Sequence, residues 1–432
     1  MVRLLLRSLW IAFVLAMLLP RYAWARLRAG RLDDEARDRL RGQLLASTLE
    51  RLGATFVKFG QILGSRPDLL SPALCAALGK LHDDVPPLSF ETVERVLDRE
   101  LDEAQRAQFA RIEREPIAAA SVAQVHEGVL LGGERVAIKI QRPEAPAQIE
   151  RDLAIMRFGA KLLDYLPSLH LLSLPGAVER FGEALANQLD FVLEAKNNRR
   201  LAQNLRELKG VRVPDLYEDL CTRAVLTMEL IDGVKATEPE RLTDRKVRRR
   251  LAARGADAVL KMIFRDGFVH ADMHPGNILL TEDGTLVFID LGMVAEIPRD
   301  MMRPWIETFQ ALGGQDGKAA ARLFYVYAPF VATQDYAAFE ADTVRFFQQF
   351  EGLRLGEVEV GEVVGGMMNV LRRHRVQVEP VFTVVNLGVL VAEGLGKQLD
   401  PELDLVQMSL PYLAEALAAA PPGRPPLREI PT

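Results

Sequence analysis

Three side chains past the middle of the chain have the spacing of a phosphoryl-transfer site. In "VHADMHPGNILL", Asp272 and Asn277 stand five apart, and Asp290-Leu291-Gly292 follows the apolar run "LVFID". Such chemistry needs a carboxylate to orient or deprotonate a nucleophile, and oxygen ligands for a Mg²⁺ ion that also binds phosphate. Asp272 suits the first role, Asn277 and Asp290 the second. His270 and His274 border the aspartate, and each is expected to be a packed, hydrogen-bonded scaffold residue.

A cation against the α- and β-phosphates is also required. "RVAIKIQRP" reads as a strand in which Val136, Ile138 and Ile140 alternate with Ala137, Lys139 and Gln141. Lys139 serves only if a carboxylate holds it in place. Glu194 in "DFVLEAKNN" is the favoured partner, with Glu183 and Asp190 on the same helical stretch as alternatives. Upstream, where glycines would cover the phosphates, stands "PIAAASVAQVHEG". Ala118, Ala119, Ala120 and Ser121 allow a close backbone approach but disfavour positive φ, so this turn is expected to be stiff. Met228 and Glu229, after a strand, are placed to meet an adenine edge.

The elements that must hold these residues follow from periodicity and punctuation. Residues 33 to 109 are helical in pattern, with breaks at Pro67, Pro72, Pro86 and Pro87. From Ile112 to Ile140 the pattern turns to β, read as two strands joined at Gly132-Gly133. Helix returns from 144 to 207, then short strands near 211 to 217 and 223 to 231, a long helix near 243 to 267, and a strand pair turning at Asp283-Gly284. Helix dominates after Pro298. The fold class is therefore α+β: a small β-rich lobe holding one long helix, then a larger helical lobe, with a nucleotide bound between them. Boundaries are expected at 1–30 for a basic, apolar segment, 31–110 for a helical extension, 111–231 and 232–419 for the two lobes, and 420–432 for a Pro-rich, disordered tail.

Composition narrows the class further. A chain of 432 residues, 49% hydrophobic and 26% charged, is globular. Its net charge of −5 argues against a nucleic-acid-binding body, and two cysteines without C-x-x-C spacing give neither a disulfide framework nor a zinc cage. The first 32 residues are the exception, with Arg3, Arg7, Arg21, Arg26, Arg28 and Arg31 and no acid before Asp33. Leu9 to Leu19 is apolar throughout but short against the roughly 20 residues of a spanning helix. An interfacial or shallowly embedded membrane anchor is the favoured reading. A helix packed on the protein, or a secretory signal cleaved after Ala23-Trp24-Ala25, are the alternatives.

Together these residues resemble the UbiB/ADCK family of atypical kinase-like proteins, over roughly residues 45 to 405. Lys58-Phe59-Gly60-Gln61 resembles its K-x-G-Q signature, Ala118 to Ser121 its alanine-rich loop, and Lys139 its strand lysine. "QLDFVLEAKNN" resembles its E-x-D element and helix glutamate, His270 to Asn277 its H-A-D-x-H-P-G-N loop, and "EGLGKQLDP" more weakly its tail motif. The resemblance implies a two-lobed protein-kinase-like fold whose N-terminal extension packs over the active site, and binding of ATP or ADP with Mg²⁺. It also implies association with membrane lipids at the cytoplasmic face, and a role in isoprenoid-quinone or other prenyl-lipid metabolism, with a quinone or prenyl-lipid precursor and quinone-biosynthesis enzymes as partners. On this footing Lys58, Gly60 and Gln61 occlude the cleft, and Lys58 points toward Gln188 and Asp190. Gln188 departs from the family's glutamate and removes one charge there. The C-terminal hydrophobic segments of ubiquinone-linked members have no counterpart, which leaves residues 1 to 25 as the expected anchor. An ordinary protein kinase is disfavoured, because helix by about Pro304 leaves no long activation segment and there is no A-P-E. Two rivals remain: a small-molecule phosphotransferase of the aminoglycoside-kinase type, for which residues 33 to 109 are superfluous, and a nucleotide-binding pseudokinase scaffold without turnover.

Overall fold

A computed structural model describes residues 2–29, 32–67, 69–81, 85–165, 174–333, 335–351 and 359–431. The chain divides into two compact units, Met1–Ala195 with Asp215–Leu230, and Lys196–Pro214 with Ile231–Thr432.

In the first unit, α1 (Val2–Ala29) precedes three helices, α2 (Asp34–Leu52), α3 (Ala54–Gly64) and α4 (Pro72–Leu78). Asp33 caps α2 by accepting the Ala36 N–H, and Gly53, at φ +100°, turns the chain directly into α3. Gly60 lies where α3 meets its neighbours. A Cβ there would fall 2.5 Å from Leu81 Cδ1 and 2.6 Å from Leu49 Cδ1, so this approach tolerates no side chain. The helices α5 (Phe90–Glu100) and α6 (Glu103–Arg106) lead into the sheet.

That sheet is formed by β1 (Phe109–Ala119), β2 (Ala123–Leu130), β3 (Arg135–Gln141) and β5 (Val225–Glu229), in the order β1-β2-β3-β5 and antiparallel throughout; β4 (Val211–Arg212) belongs to the second unit. Three strands thus stand where sequence periodicity gave two. The added strand, β1, lies at the edge, and its charged run "RIERE" hides any apolar alternation. Val136, Ile138 and Ile140 face Val93, Val96 and Leu97 of α5, while Ala137 and Leu226 face Phe191 and Ala195. Burial on both faces is what turns the β3 lysine inward. The long helices α7 (Ala145–Asp164), α8 (Leu174–Gln188) and α9 (Phe191–Leu205) follow, and the chain passes into the second unit within α9.

The helix α1 corrects the sequence reading of its length. It runs unbroken through Arg7 and through Ala23-Trp24-Ala25, and its apolar window, Leu5–Ala25, is 21 residues long. Ile11, Val14 and Leu18 pack inward among Leu49, Leu52, Phe56 and Val57. Arg7 lies on the same stripe. Its Nε and Nη2 reach the two carboxylate oxygens of fully buried Asp152, on α7, at 2.7 and 3.0 Å, and Nη2 also donates to the Leu52 carbonyl at 2.6 Å. Removing one partner of such a pair strands a buried charge, so Arg7→Met is expected to cost about 3–5 kcal/mol. Urea melts of Arg7→Met and of the double variant with Asp152→Asn check this, because the second change should recover most of the loss.

In the second unit, β4 pairs in parallel with β9 (Leu286–Phe288), which pairs antiparallel with β8 (Ile278–Leu280), and β8 pairs in turn with β6 (Val234–Lys235). The helix α10 (Arg245–Lys261) ends in a π-turn, Met262–Asp266, that delivers β7 (Phe268–His270), the partner of β10 (Val294–Glu296). Among the described residues six helices follow: α11 (Arg299–Gly313), α12 (Gly317–Tyr327), α13 (Tyr336–Gln348), α14 (Val360–Arg373), α15 (Pro380–Leu399) and α16 (Leu405–Ala419). Glu393 on α15, in the weak tail motif, accepts the Val360 and Gly361 N–H groups at 3.0 and 2.8 Å, so it caps α14. The Pro-rich tail is seated rather than disordered. Arg424 pairs with Asp300 at 3.1 Å and Glu379 at 3.6 Å, Leu427 N–H donates to the Val326 carbonyl at 2.8 Å, and Ile430 packs on the core. Its partners lie about a hundred residues away in sequence, where composition cannot see them.

Candidate functional site

The first unit holds the cationic half of the predicted chemistry. Lys139 Nζ donates to Glu194 Oε1 and Oε2 at 2.8 and 2.9 Å, and also lies 5.3 Å from the Phe191 ring centroid. Both residues are buried, at 8% and 2% exposure. Glu194, not Glu183 or Asp190, is therefore the partner that the strand lysine meets. On the same face, Gln141 Nε2 donates to the Leu189 carbonyl at 2.6 Å.

The alanine-rich stretch is the end of β1 and a tight turn closed by the Ala120 N–H to the Ala123 carbonyl at 2.8 Å. None of Ala118, Ala119, Ala120 and Ser121 has positive φ. Sequence reasoning passed over the brace that fixes it. Arg142, in "IQRP", donates from Nε to the Ala120 carbonyl at 2.7 Å, from Nη2 to the Pro86 carbonyl at 2.8 Å, and from its own N–H to Val122 at 2.9 Å. An arginine just after the strand that carries Lys139 was the available signal.

Beside this turn, Phe59 and Ile62 of the K-x-G-Q helix pack with Phe181, Leu185, Leu189 and Val122, so three motifs share one apolar cluster. Gln61 Nε2 donates to the Leu81 carbonyl at 2.9 Å, and Lys58 is half-buried. Asp190 does not sit as expected. Its Oδ1 accepts the Val192 and Leu193 N–H groups at the start of α9, and its Oδ2 accepts from Arg223 at 3.0 Å, so its carboxylate is committed to capping rather than to Lys58. Among the described residues, Gln188 Oε1 is buried without a hydrogen-bond partner. Met228 and Glu229 end β5, the last strand before the chain leaves the unit at Leu230.

Behind the turn, His126 is fully buried on β2. Nδ1 donates to the Glu113 carbonyl at 2.8 Å, Nε2 accepts from Gln124 at 2.8 Å, and Gln124 Oε1 accepts the Leu88 N–H at 2.7 Å. Burial holds its pKa below the ordinary 6.5, against the pull of the Glu113 carbonyl and the Glu115 charge. The unfolded chain therefore takes up this proton first as pH falls. The stability His126 contributes is full above its unfolded value and is lost as pH drops toward the depressed folded one. Thermal melts between about pH 7.5 and about pH 5.5 should show falling stability, with a shallower slope for His126→Asn. His270, shifted the same way, keeps the slope from vanishing.

The second unit holds the acidic half. Asp272 and Asn277 lie on the loop between β7 and β8, and Asp290 follows β9. The Ile278↔Phe288 register and the Ile289 N–H to the Asn277 carbonyl, at 2.9 Å, place Asn277 beside Ile289, the residue that precedes Asp290. Asn277 Nδ2 donates to the Asp272 carbonyl at 3.0 Å and to its Oδ2 at 3.3 Å. His270 is the scaffold expected of it: Nε2 donates to the Ile289 carbonyl and Nδ1 accepts the Asp272 N–H, both at 3.2 Å. Burial pushes its pKa down, which keeps the ring neutral as this pattern demands, although Asp272 and Asp290 pull upward. His274 Nδ1 accepts the Gly276 N–H at 3.0 Å and shapes the loop. Asp290 is exposed and left-handed, at φ +59°. Strain of this kind is held where the fold over-determines a residue. Asn197 Nδ2, on α9, adds to that constraint by donating to the Leu291 carbonyl at 3.0 Å. This residue also went unforeseen, although paired asparagines in an amphipathic helix marked it.

A strand lysine held by a helix glutamate, together with D-x-x-x-x-N and D-x-G loops, defines a kinase-like protein. The chain belongs to the UbiB family of atypical kinases: the ABC1 atypical kinase-like domain matches residues 80–324, and the UbiB helical domain matches 344–404. It is 33% identical over 382 residues to the probable protein kinase UbiB of Tolumonas auensis, covering 86% of this chain and 70% of that one. It is 31% identical over 394 residues to the protein of the same name from Shewanella piezotolerans, covering 90% and 72%. Among solved structures, the complex of Rv3197 with erythromycin from Mycobacterium tuberculosis superposes with a TM-score of 0.57 at 24% identity, covering 76% of this chain and 85% of that one, a likeness of fold.

Proposed function

We propose that this protein binds Mg-ATP and uses it, by hydrolysis or by phosphoryl transfer to a small molecule, in isoprenoid-quinone or other prenyl-lipid metabolism at the cytoplasmic face of a membrane. The observation that carries this reading is the Lys139–Glu194 pair. Burying an ion pair gains little stability over an apolar pair of the same volume, so its use lies in holding an ammonium group where phosphates can meet it.

The donor set fits Mg²⁺. One exposed carboxylate, Asp290, and one side-chain amide, Asn277, are what this ion takes from protein when phosphates and water supply the rest. Asn277 and Asp290 would hold the ion, which would supply charge neutralisation to the phosphates. Asp272, steered by Asn277 and His270, positions the attacking hydroxyl or water. The turn at Ala118 to Ser121, braced by Arg142, covers the phosphates. Met228 and Glu229 meet the adenine edge. Lys58, on α3 beside that turn, takes the space a peptide substrate would use. A small acceptor is also favoured by the short path from Asp290 through β10 to α11 at Arg299, which carries no activation segment. Membrane lipids and quinone-biosynthesis enzymes are the proposed partners.

Phosphate release from Mg-ATP by the full-length chain, with and without anionic vesicles, tests the enzymatic claim. Turnover that Asp272→Asn abolishes is expected. Tight ATP binding without turnover under both conditions would assign a scaffold instead. Quinone content in cells lacking the protein, restored by wild type but not by Asp290→Asn, tests the pathway, and unchanged content would point to a different lipid.

A further inference from the structure

We infer that α1 and the C-terminal half of α7 form one docking surface that lies flat in the headgroup region of an anionic bilayer, with α1 in the membrane plane rather than across it. This rests on the membrane association proposed above and says how it is achieved.

By length and composition α1 could cross a bilayer, yet only 17% of its apolar window is buried in the protein. Two polar ties decide its orientation. Arg7 is locked to buried Asp152 and the Leu52 carbonyl, and the Tyr22 hydroxyl lies 3.0 Å from Thr48 Oγ1. These anchors stand about 22 Å apart along the helix, at 1.5 Å per residue. With Ile11, Val14 and Leu18 packed between them, α1 is fastened lengthwise to the protein. Crossing a membrane would break both ties and strand the Asp152 charge.

The other side of α1 faces outward. Leu6, Leu9, Trp10, Phe13, Met17 and Trp24 are each at least half exposed, at spacings that form one outward face. Trp10 and Trp24 suit the headgroup level. No acidic residue occurs in the sequence of α1, while Arg3, Arg21, Arg26 and Arg28 do, a charge balance that matches anionic lipid.

The surface continues onto α7. Ile155 packs in the same cluster as Ile11, Val14 and Leu18, and Phe158 and Leu162 follow it at i+3 and i+7, on the flank of α7 that adjoins α1. Phe158 is 72% exposed and Leu162 is 62% exposed. A solvated helix has no use for this pair, whereas a bilayer that already receives α1 would take them in.

Two measurements on the full-length protein test the proposal, with vesicles of equal parts phosphatidylcholine and phosphatidylglycerol. In flotation, wild type should rise with the vesicles. Phe158→Asp and Leu162→Asp should each lower partitioning about tenfold, while Val192→Asp, which removes an exposed apolar residue on α9, should not. A wild type that fails to float would sink the membrane reading itself. Floating wild type with equally floating α7 variants would overturn only the surface assigned here. For orientation, Val2→Cys and Leu27→Cys, each in a Cys75→Ser, Cys221→Ser background, are exposed to an impermeant maleimide after binding to sealed vesicles. Labelling of both from outside is expected, and protection of one end would show a spanning helix and overturn the proposal. A lipid-free dimer that Phe158→Asp converts to monomer would assign the face to a second copy of the chain and overturn it as well.

Discussion

Lys139→Met is expected to abolish the proposed ATP binding and to destabilise the first unit by about 3–5 kcal/mol. The two effects have separate origins, and a second substitution divides them. Methionine replaces the stem of the lysine inside the sheet, so packing against Phe191 survives, but Glu194, at 2% exposure, loses the ammonium group that it holds. Adding Glu194→Gln removes that carboxylate, and urea melts of the double variant should recover most of the lost stability. ATP binding should stay absent, because the ammonium group is still missing. Recovery of binding along with stability would mean that Lys139 matters only to the fold.

Asp290→Asn is expected to abolish Mg-dependent nucleotide binding with no change in fold. Asparagine accepts the left-handed conformation at φ +59° nearly as readily as aspartate, so the substitution removes charge without adding strain. Asp290→Ala removes the same charge and should cost about a further 1–2 kcal/mol from the backbone alone. Circular dichroism and melting would show Asn close to wild type and Ala below it, with both silent toward Mg-ATP in calorimetry. Unchanged Mg-ATP affinity in Asp290→Asn would remove this residue from the metal site.

The core of the candidate site was legible because its residues are positioned by local pattern. The alternation in β3 placed Lys139 opposite Val136, Ile138 and Ile140, and the turn at Gly284, at φ +86°, set the register that places Asn277 beside Ile289, the residue before Asp290. What could not be read depends on partners remote in sequence. Arg7 interrupted an apolar run and made α1 look short, since Asp152, which neutralises it, lies 145 residues on. The tail from Pro421 looked disordered by composition, but Arg424 finds Asp300 and Glu379 in the fold. Asp190 looked like a charge for Lys58, yet its place at the head of α9 gives it backbone donors that compete for it. Arg142 and Asn197 act on backbone carbonyls, which leave no trace in side-chain spacing.

The central claim of the proposed function is that the protein binds ATP through Lys139 and together with Mg²⁺. Calorimetric titration of ATP into the full-length protein, with Mg²⁺ and with a chelator, tests it most directly when repeated for Lys139→Met. Saturable binding that needs Mg²⁺ and disappears in the variant is the predicted result. Binding of undiminished affinity in Lys139→Met, or with the metal removed, would contradict it.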